Sequence, residues 1–187
     1  MERKTFVKML PAAALFAALS AVAEAQHKGG KMLVVYYSWS GNTRKIANYI
    51  KSLTGADIVE IAPETPYSAD YNETVKTAKR ENDAEFLRPI KNGKIDLSKY
   101  DTVFVGSPNW WGTVAAPVRT FLHENDFSGK TVALFMTHEG SRLGRAEGDV
   151  KKLCPKSKFT AALPVRGGSV GGAQKTVESW LKSIGKM

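Results

Sequence analysis

Continuous apolar runs alternate with amphipathic segments along most of this chain. The runs at 32–37, 102–106 and 131–136 are rich in β-branched and aromatic residues, which is typical of strands buried on both faces of a sheet. Shorter runs of the same kind at 57–61 and 159–163 predict two further strands. The hydrophobic pattern therefore predicts five strands, each separated from the next by a more polar segment.

Each predicted strand is followed by a segment whose apolar residues have helical spacing. Buried strands that alternate with helices form a parallel sheet covered on both faces, with right-handed crossovers. The sequence therefore predicts an α/β fold with a doubly wound five-stranded parallel sheet in three layers, α/β/α. We interpret the polar stretch 81–100 as an irregular surface connection. The predicted helices are 44–53, 71–79, 114–123, 146–153 and 173–184.

The first 25 residues have the organisation of a secretion signal. Three basic residues precede the apolar stretch 9–23, and small residues around Ala25 are typical of a cleavage site. The stretch is shorter than the roughly 20 residues that cross a bilayer, so we expect no stable membrane anchor. The start also resembles a twin-arginine export signal, with Lys4 in place of the second arginine; the general secretory route stays open. We expect an exported, periplasmic protein.

The remaining chain has the composition of one globular domain, which we place at 31–187. Of the 187 residues, 43% are hydrophobic and 24% are charged. Without residues 1–25 the chain keeps 24 positive and 16 negative side chains, a net charge of +8. A basic surface suits several kinds of partner. The basic residues are scattered and accompany no zinc-ligand spacing or RNA-binding signature, so we do not expect nucleic acid as a partner.

The single cysteine, Cys154, excludes an intramolecular disulfide and Cys-x-x-Cys chemistry. We interpret it as a half-buried structural residue before Pro155. The chain has three histidines and no matching set of further ligands, so no metal site is expected.

A polar loop directly follows the first predicted strand. Its hydroxyls, its glycine and the amides of the next helix are all suited to an anion, because a helix start is electropositive. Ordinary helix capping would use the same residue types. The loop lacks the Gly-Lys-Ser/Thr ending of loops that bind nucleoside triphosphates, and it lacks the triple-glycine fingerprint of loops that bind dinucleotides. Its residues are Ser38, Trp39, Ser40, Gly41, Asn42 and Thr43.

Two further loops, 107–112 and 137–144, follow the third and fourth predicted strands. Parallel strands place their carboxyl ends at one edge of the sheet, so all three loops are expected to border one crevice. Trp110 and Trp111 are adjacent and cannot easily share one inward direction, so one indole is available to stack on a planar ligand. The alternative is a tryptophan exposed for contact with another protein.

These residues together resemble the flavodoxin family. The strand followed by Ser-x-Ser-Gly-Asn-Thr is similar to the FMN-phosphate signature of that family, and Gly-Ser-Pro-Asn-Trp-Trp-Gly is similar to its flavin-ring loop. The resemblance implies that Ser38, Ser40, Asn42 and Thr43 hold the phosphate, together with Trp39 and Gly41 of the same loop. It implies that the isoalloxazine ring is flanked by Pro108, Asn109, Trp110, Trp111, Gly112, Thr137, His138, Glu139 and Gly140.

The resemblance implies FMN as the cofactor and electron transfer as the function. Two features differ from the electron carriers of the family: Asn109-Trp110 stands where many have a glycine at the flavin edge, and this domain is basic whereas those are usually acidic. We favour an electron carrier that serves a redox partner protein. The alternatives are an NAD(P)H-dependent FMN reductase of a small quinone-like acceptor, and a flavin-free binding module.

Overall fold

The computed structural model describes residues 30–187, and the predicted signal at 1–25 lies outside them. Among the described residues, no helix is both long and apolar enough to cross a membrane. In chain order the elements are β1 (Met32–Tyr36), α1 (Asn42–Thr54), β2 (Asp57–Glu60), α2 (Tyr71–Asp83), β3 (Thr102–Trp110), β4 (Thr113–Val114), α3 (Ala116–Glu124), β5 (Thr131–His138), α4 (Ala146–Leu153), β6 (Lys158–Phe159), β7 (Leu163–Arg166), a 3₁₀ helix (Gly167–Gly172) and α5 (Gln174–Ser183).

The sheet has the order β2-β1-β3-β5, and β6 and β7 pair one after the other with the outer edge of β5. All of these pairs are parallel, and the short β4 pairs antiparallel with the end of β3. The chain leaves β1 towards β2 on one side and then returns to form β3 on the other side. This topological switch point creates a crevice at the carboxyl ends of β1 and β3, where ligands of such sheets bind.

The alternation of side chains in the strands divides the core into two halves. Leu33 and Val35 of β1 belong to a cluster that includes residues of α3 and α4. Val34 and Tyr36 point the other way, into a cluster with residues of α1 and α5. The sheet is therefore covered on both faces, and the predicted three-layer doubly wound fold is confirmed.

The last predicted strand, 159–163, is wrong in its boundaries. The structure has β6 and β7 instead, separated by residues 160–162. The carbonyl of Ala161 accepts a hydrogen bond from Trp180 Nε1 at 2.8 Å, so it is directed towards α5. Pro164 of β7 has no N–H group, and an edge strand tolerates this because only one of its sides is paired.

The predicted loops at 107–112 and 137–144 begin later than expected. β3 continues to Trp110 and β5 continues to His138, and these extensions pair Pro108 with Thr137. The predicted helix at 114–123 begins at Ala116 instead, since the residues before it form β4. The structure therefore places part of each predicted loop on a strand.

The expectation of a surface connection over 81–100 is wrong at its beginning. α2 continues to Asp83, and Glu81 is buried with its carboxylate paired to Arg88. Cys154 is also more buried than expected, at 3% exposed, and burial raises the pKa of its thiol to about 12. A thiol with a raised pKa stays protonated at neutral pH, which agrees with a structural role.

Candidate functional site

The first turn of α1 has no side-chain cap. Gly41 precedes the helix with a φ of 88°, in the left-handed region that glycine adopts without strain. The hydroxyl of Ser38 accepts a hydrogen bond from the Gly41 amide at 3.1 Å and does not bond to the helix itself. The amides at the start of this 13-residue helix therefore have no side-chain acceptor at the cap.

The hydroxyls predicted to hold an anion have different surroundings. Ser40 is exposed and Ser38 is 8% exposed. Thr43 is buried, and its hydroxyl lies 2.8 Å from that of Thr137 at the end of β5. The Thr43 side chain therefore connects the first and third predicted loops, while its amide belongs to the open first turn of α1.

A second contact joins the same two loops. A Cβ atom built on Gly167 would overlap the Glu139 carboxylate and lie 2.8 Å from Asn42 Nδ2. A larger residue at this position, the start of the 3₁₀ helix, would require the ends of the Glu139 and Asn42 side chains to move. Asn42 and Glu139 therefore both lie beside Gly167, a residue that the sequence reasoning missed. Its glycine-rich segment follows the last strand and lies outside the three predicted loops.

Trp110 is fixed by two tyrosines. Its ring lies edge-on to Tyr67, with a centroid distance of 4.8 Å, and edge-on to Tyr37 at 5.7 Å. The hydroxyl of Tyr67 donates to Glu81, whose carboxylate is also paired with Arg88. This buried network sets the orientation of the Trp110 indole.

Trp111 occupies a tight turn between β3 and β4. It has a φ of 54°, and Gly112 follows with a φ of 86°. Positive φ values at both residues of a two-residue hairpin loop are the pattern of a type I′ turn, which normally uses Asn or Gly first. The indole is 47% exposed, and its Nε1 donates to the carbonyl of Val75 at 3.1 Å. The turn holds a large aromatic side chain at the surface in a strained backbone conformation.

Asn109 connects this turn to the third loop. Its side chain accepts from the Gly112 amide at 3.0 Å and donates to the Arg142 carbonyl at 2.8 Å. The Gly112 carbonyl accepts from the Arg145 amide at 2.7 Å, and a Cβ on Gly144 would overlap it. The second and third loops are therefore held together through their backbones.

A groove of about 250 Å³ adjoins these residues. Four of the predicted residues border it, namely Trp39, Asn109, Trp110 and Trp111. The opposite wall is a face of α2 that the sequence reasoning missed, although its helical i, i+3, i+4, i+7 spacing was a usable signal. That face consists of Tyr71, Thr74, Val75 and Ala78.

The predicted residues thus form two contact groups. The tryptophans and Asn109 share the groove with α2, whereas Thr137 and Glu139 lie beside the start of α1. Gly140 is exposed. The structure brings most of the predicted residues to the carboxyl end of the sheet, but it does not place the third loop in the aromatic groove.

His138, at the end of β5, carries an unusual polar atom. Its Nδ1 is buried and has no hydrogen-bond partner among residues 30–187. Burial lowers the pKa of His138, and the positive charge of Arg142 lowers it further. The neutral form of the imidazole is therefore favoured, and its unpartnered Nδ1 lies in the protein interior.

Comparison with known proteins identifies the family of this chain. The Flavodoxin family profile matches residues 31–184. A solved structure from Bacteroides eggerthii DSM 20697, assigned as a flavoprotein, has 30% identity and a TM-score of 0.74, covering 84% of this chain and 99% of that one. A flavoprotein from Lactobacillus acidophilus NCFM, solved in complex with FMN, has 26% identity and a TM-score of 0.64, covering 81% of this chain and 99% of that one.

A relative with a named activity matches part of this chain. An NAD(P)H dehydrogenase (quinone) from Rhizobium rhizogenes is 31% identical over 113 residues, which cover 54% of this chain and 51% of that protein. The chain spans about half the length of this relative. The family profile covers the whole sheet, including the uncapped helix start and the tryptophan turn, and the protein therefore belongs to the flavodoxin family.

Proposed function

We propose that this protein binds FMN non-covalently and carries electrons between protein partners. The proposal depends on one observation: the uncapped start of α1 lies at the same edge of the sheet as a groove bordered by three tryptophans. When bound, FMN supplies the redox chemistry, and the protein supplies binding, orientation and electrostatics.

The phosphate of FMN would be held at the start of α1. Unpaired helix amides stabilise a dianion without a nearby lysine, because the helix dipole is positive there. Gly41 allows the chain to turn, and the exposed hydroxyl of Ser40 is free to donate. Asn42 lies beside Glu139 and Gly167, which limits the positions its amide can take.

The isoalloxazine ring would lie against the tryptophans. Trp110 is held edge-on by Tyr37 and Tyr67, so a ring that stacks on it meets a preorganised surface. Stacking of this kind contributes about 0.5–1.5 kcal/mol beyond the area buried.

The second candidate function is NAD(P)H-dependent reduction of a quinone-like acceptor. It is supported by the relative named as an NAD(P)H dehydrogenase (quinone). We favour the carrier because a nicotinamide-binding segment is not evident in the sequence. The exposed aromatic border of the groove, with Tyr71 at 66% and Trp111 at 47%, suits either a small acceptor or a partner protein.

An FMN titration tests the cofactor assignment. Purified protein should bind FMN, detected as absorbance near 450 nm that stays with the protein on gel filtration. Ser40→Ala should weaken binding by about 1.5 kcal/mol, since a donor to a charged phosphate is lost. Ser52→Ala is the matched control, because Ser52 is an exposed hydroxyl at the other end of α1. Equal affinity of the two variants would refute the phosphate assignment.

Rapid mixing separates the two candidate functions. The FMN-loaded protein should keep its 450 nm absorbance when mixed with NADH or NADPH alone, and should lose it when a reducing protein partner is added. Prompt bleaching by either nucleotide, followed by reoxidation with a soluble quinone, would instead support the reductase. A protein that rejects FMN altogether would be the flavin-free module.

We also propose that residues 1–25 direct export to the periplasm. Fractionation of cells should find the protein there, shortened to a new N-terminus after Ala25. Arg3→Lys should block export by the twin-arginine route and leave the general route unaffected, because the latter needs only positive charge. A protein that stays full-length in the cytoplasm would contradict the proposal.

A further inference from the structure

A second groove lies between the end of α2 and the helices α3 and α4. Its volume is about 300 Å³, and it includes none of the residues predicted to bind FMN. Its cationic side chains are Arg119, Arg145 and Lys152, against the carboxylates of Glu85 and Asp149. We propose that this groove binds the phosphoryl group of a small molecule, with the Arg119 guanidinium as its main ligand.

The proposal depends on the contacts that the Arg119 side chain makes. This side chain is partly buried, and its nitrogens donate to the carbonyls of Glu81 and Phe86 at 3.2 and 3.4 Å and to Asn82 Oδ1 at 3.2 Å. All three acceptors are neutral. Among residues 30–187, no carboxylate lies within ion-pair distance of Arg119. The guanidinium is thus oriented by neutral groups, and the carboxylates of Glu85 and Asp149 in the same groove act on its charge without making an ion pair with it.

Arg88 provides an internal comparison. Its side chain is 12% exposed, and it is paired with the carboxylate of Glu81. A guanidinium removed from water is normally compensated in this way, because a buried charge without a counter-ion is unfavourable. Arg119 lacks that partner within the described chain, and an anion from solution would supply it.

Arg145 adds a second guanidinium at the same place. Its Nη2 donates to Asn82 Oδ1 at 2.9 Å, the atom that also accepts from Arg119. Asp149 is ion-paired with Arg145 Nε at 3.0 Å and also accepts from the Thr113 hydroxyl at 2.6 Å, so its carboxylate compensates Arg145 and makes no ion pair with Arg119. Both guanidinium groups therefore lie within hydrogen-bond distance of the same Asn82 oxygen, and their remaining N–H groups can serve the oxygens of one phosphoryl group.

Calorimetric titration of the FMN-loaded protein at constant ionic strength tests the site. The probes are inorganic phosphate and adenosine 2′-phosphate, which distinguish a free phosphate ion from the phosphate of a nucleotide. Arg119→Gln should weaken binding of the tighter probe by roughly tenfold. Arg119→Lys should give a smaller loss, because it keeps the charge but loses the planar fork.

The matched control is Lys175→Gln. Lys175 is exposed on α5, in the other helical layer, and its removal changes the net charge by the same amount. Equal binding by the wild type and by Arg119→Gln would overturn the proposal, as would the absence of binding by either probe at millimolar concentration. Loss of binding in Lys175→Gln as large as in Arg119→Gln would also overturn it, since the effect would then be one of net charge.

The test does not depend on the FMN assignment. If phosphate bound only at the start of α1, the FMN-loaded protein would bind neither probe, and Arg119→Gln would not change phosphate binding by the FMN-free protein, which would overturn the proposal. If the protein rejected FMN, the comparison between Arg119→Gln and Lys175→Gln would still report on this groove alone. An unchanged urea midpoint for Arg119→Gln would exclude unfolding as the cause of lost binding.

Discussion

The hydroxyl of Thr43 lies 2.8 Å from the hydroxyl of Thr137, although the two residues are 94 positions apart in the chain. Both side chains are buried, and each is the hydrogen-bond partner of the other. This contact ties the start of α1 to the end of β5. It thereby fixes the open helix start against the third loop of the candidate site.

Thr137→Val should therefore destabilise the protein by about 1–3 kcal/mol, because the Thr43 hydroxyl stays buried without a partner. The double variant Thr43→Val with Thr137→Val should be less destabilised than the sum of the single variants. Urea unfolding of the four proteins measures this coupling. Strictly additive effects would mean that the two hydroxyls do not stabilise each other.

Replacing Trp111 with glycine should lower the affinity for FMN and leave the free energy of unfolding almost unchanged. Trp111→Gly relieves a backbone strain of about 1 kcal/mol but loses the hydrogen bond to Val75, so the free energy of unfolding should change little. FMN affinity should fall by about 1 kcal/mol, since a stacking surface is lost. Trp111→Phe keeps an aromatic ring and should retain most of the affinity. Equal FMN affinity in both variants would show that this side chain does not contact the flavin.

The two ion pairs of α2 should differ greatly in their effect on stability. Glu81→Gln leaves Arg88 buried without its partner and should cost about 3–5 kcal/mol. Asp83→Asn breaks the exposed pair with Lys79 on the same helix and should cost at most about 0.5 kcal/mol. Urea unfolding measures both values. Similar losses for the two variants would contradict the burial argument.

Glu81→Gln should also alter the surroundings of Trp110, because Tyr67 donates to this carboxylate and packs edge-on against the indole. The near-ultraviolet circular dichroism of the folded variant should therefore differ from that of the wild type. Asp83→Asn, the same control, should leave this spectrum unchanged.

His138 should make stability depend on pH. Burial lowers its pKa from the usual value of about 6.5, so the folded state favours the neutral imidazole. The stability that the neutral imidazole contributes is fully present above pH 6.5, and it is lost as the pH falls through the pKa of His138 in the folded state. Between pH 7 and pH 5, His138→Gln should lose less stability than the wild type, as measured by urea unfolding. His123→Gln, which changes an exposed histidine on α3, should keep the wild-type slope.

The sequence by itself determined the alternation of the main strands and helices and the position of the polar loop after β1. Apolar runs such as 102–106 and 131–136 predict buried strands because residues close in the chain decide local conformation and which side chains avoid water. The same local pattern places Ser40 and Gly41 directly after β1 and before a helix. A parallel alternation of such units then brings the three loops to one edge of the sheet.

Only the tertiary structure decided which side chains meet there. The 159–163 run carries no signal that Trp180 engages the Ala161 carbonyl, and nothing near Thr43 in the chain indicates Thr137. The wall that α2 forms opposite Trp111 and the close approach of Gly167 to Glu139 likewise depend on how distant segments pack. Local sequence specifies periodicity and turns, whereas these contacts arise from packing and register, which depend on the whole chain at once.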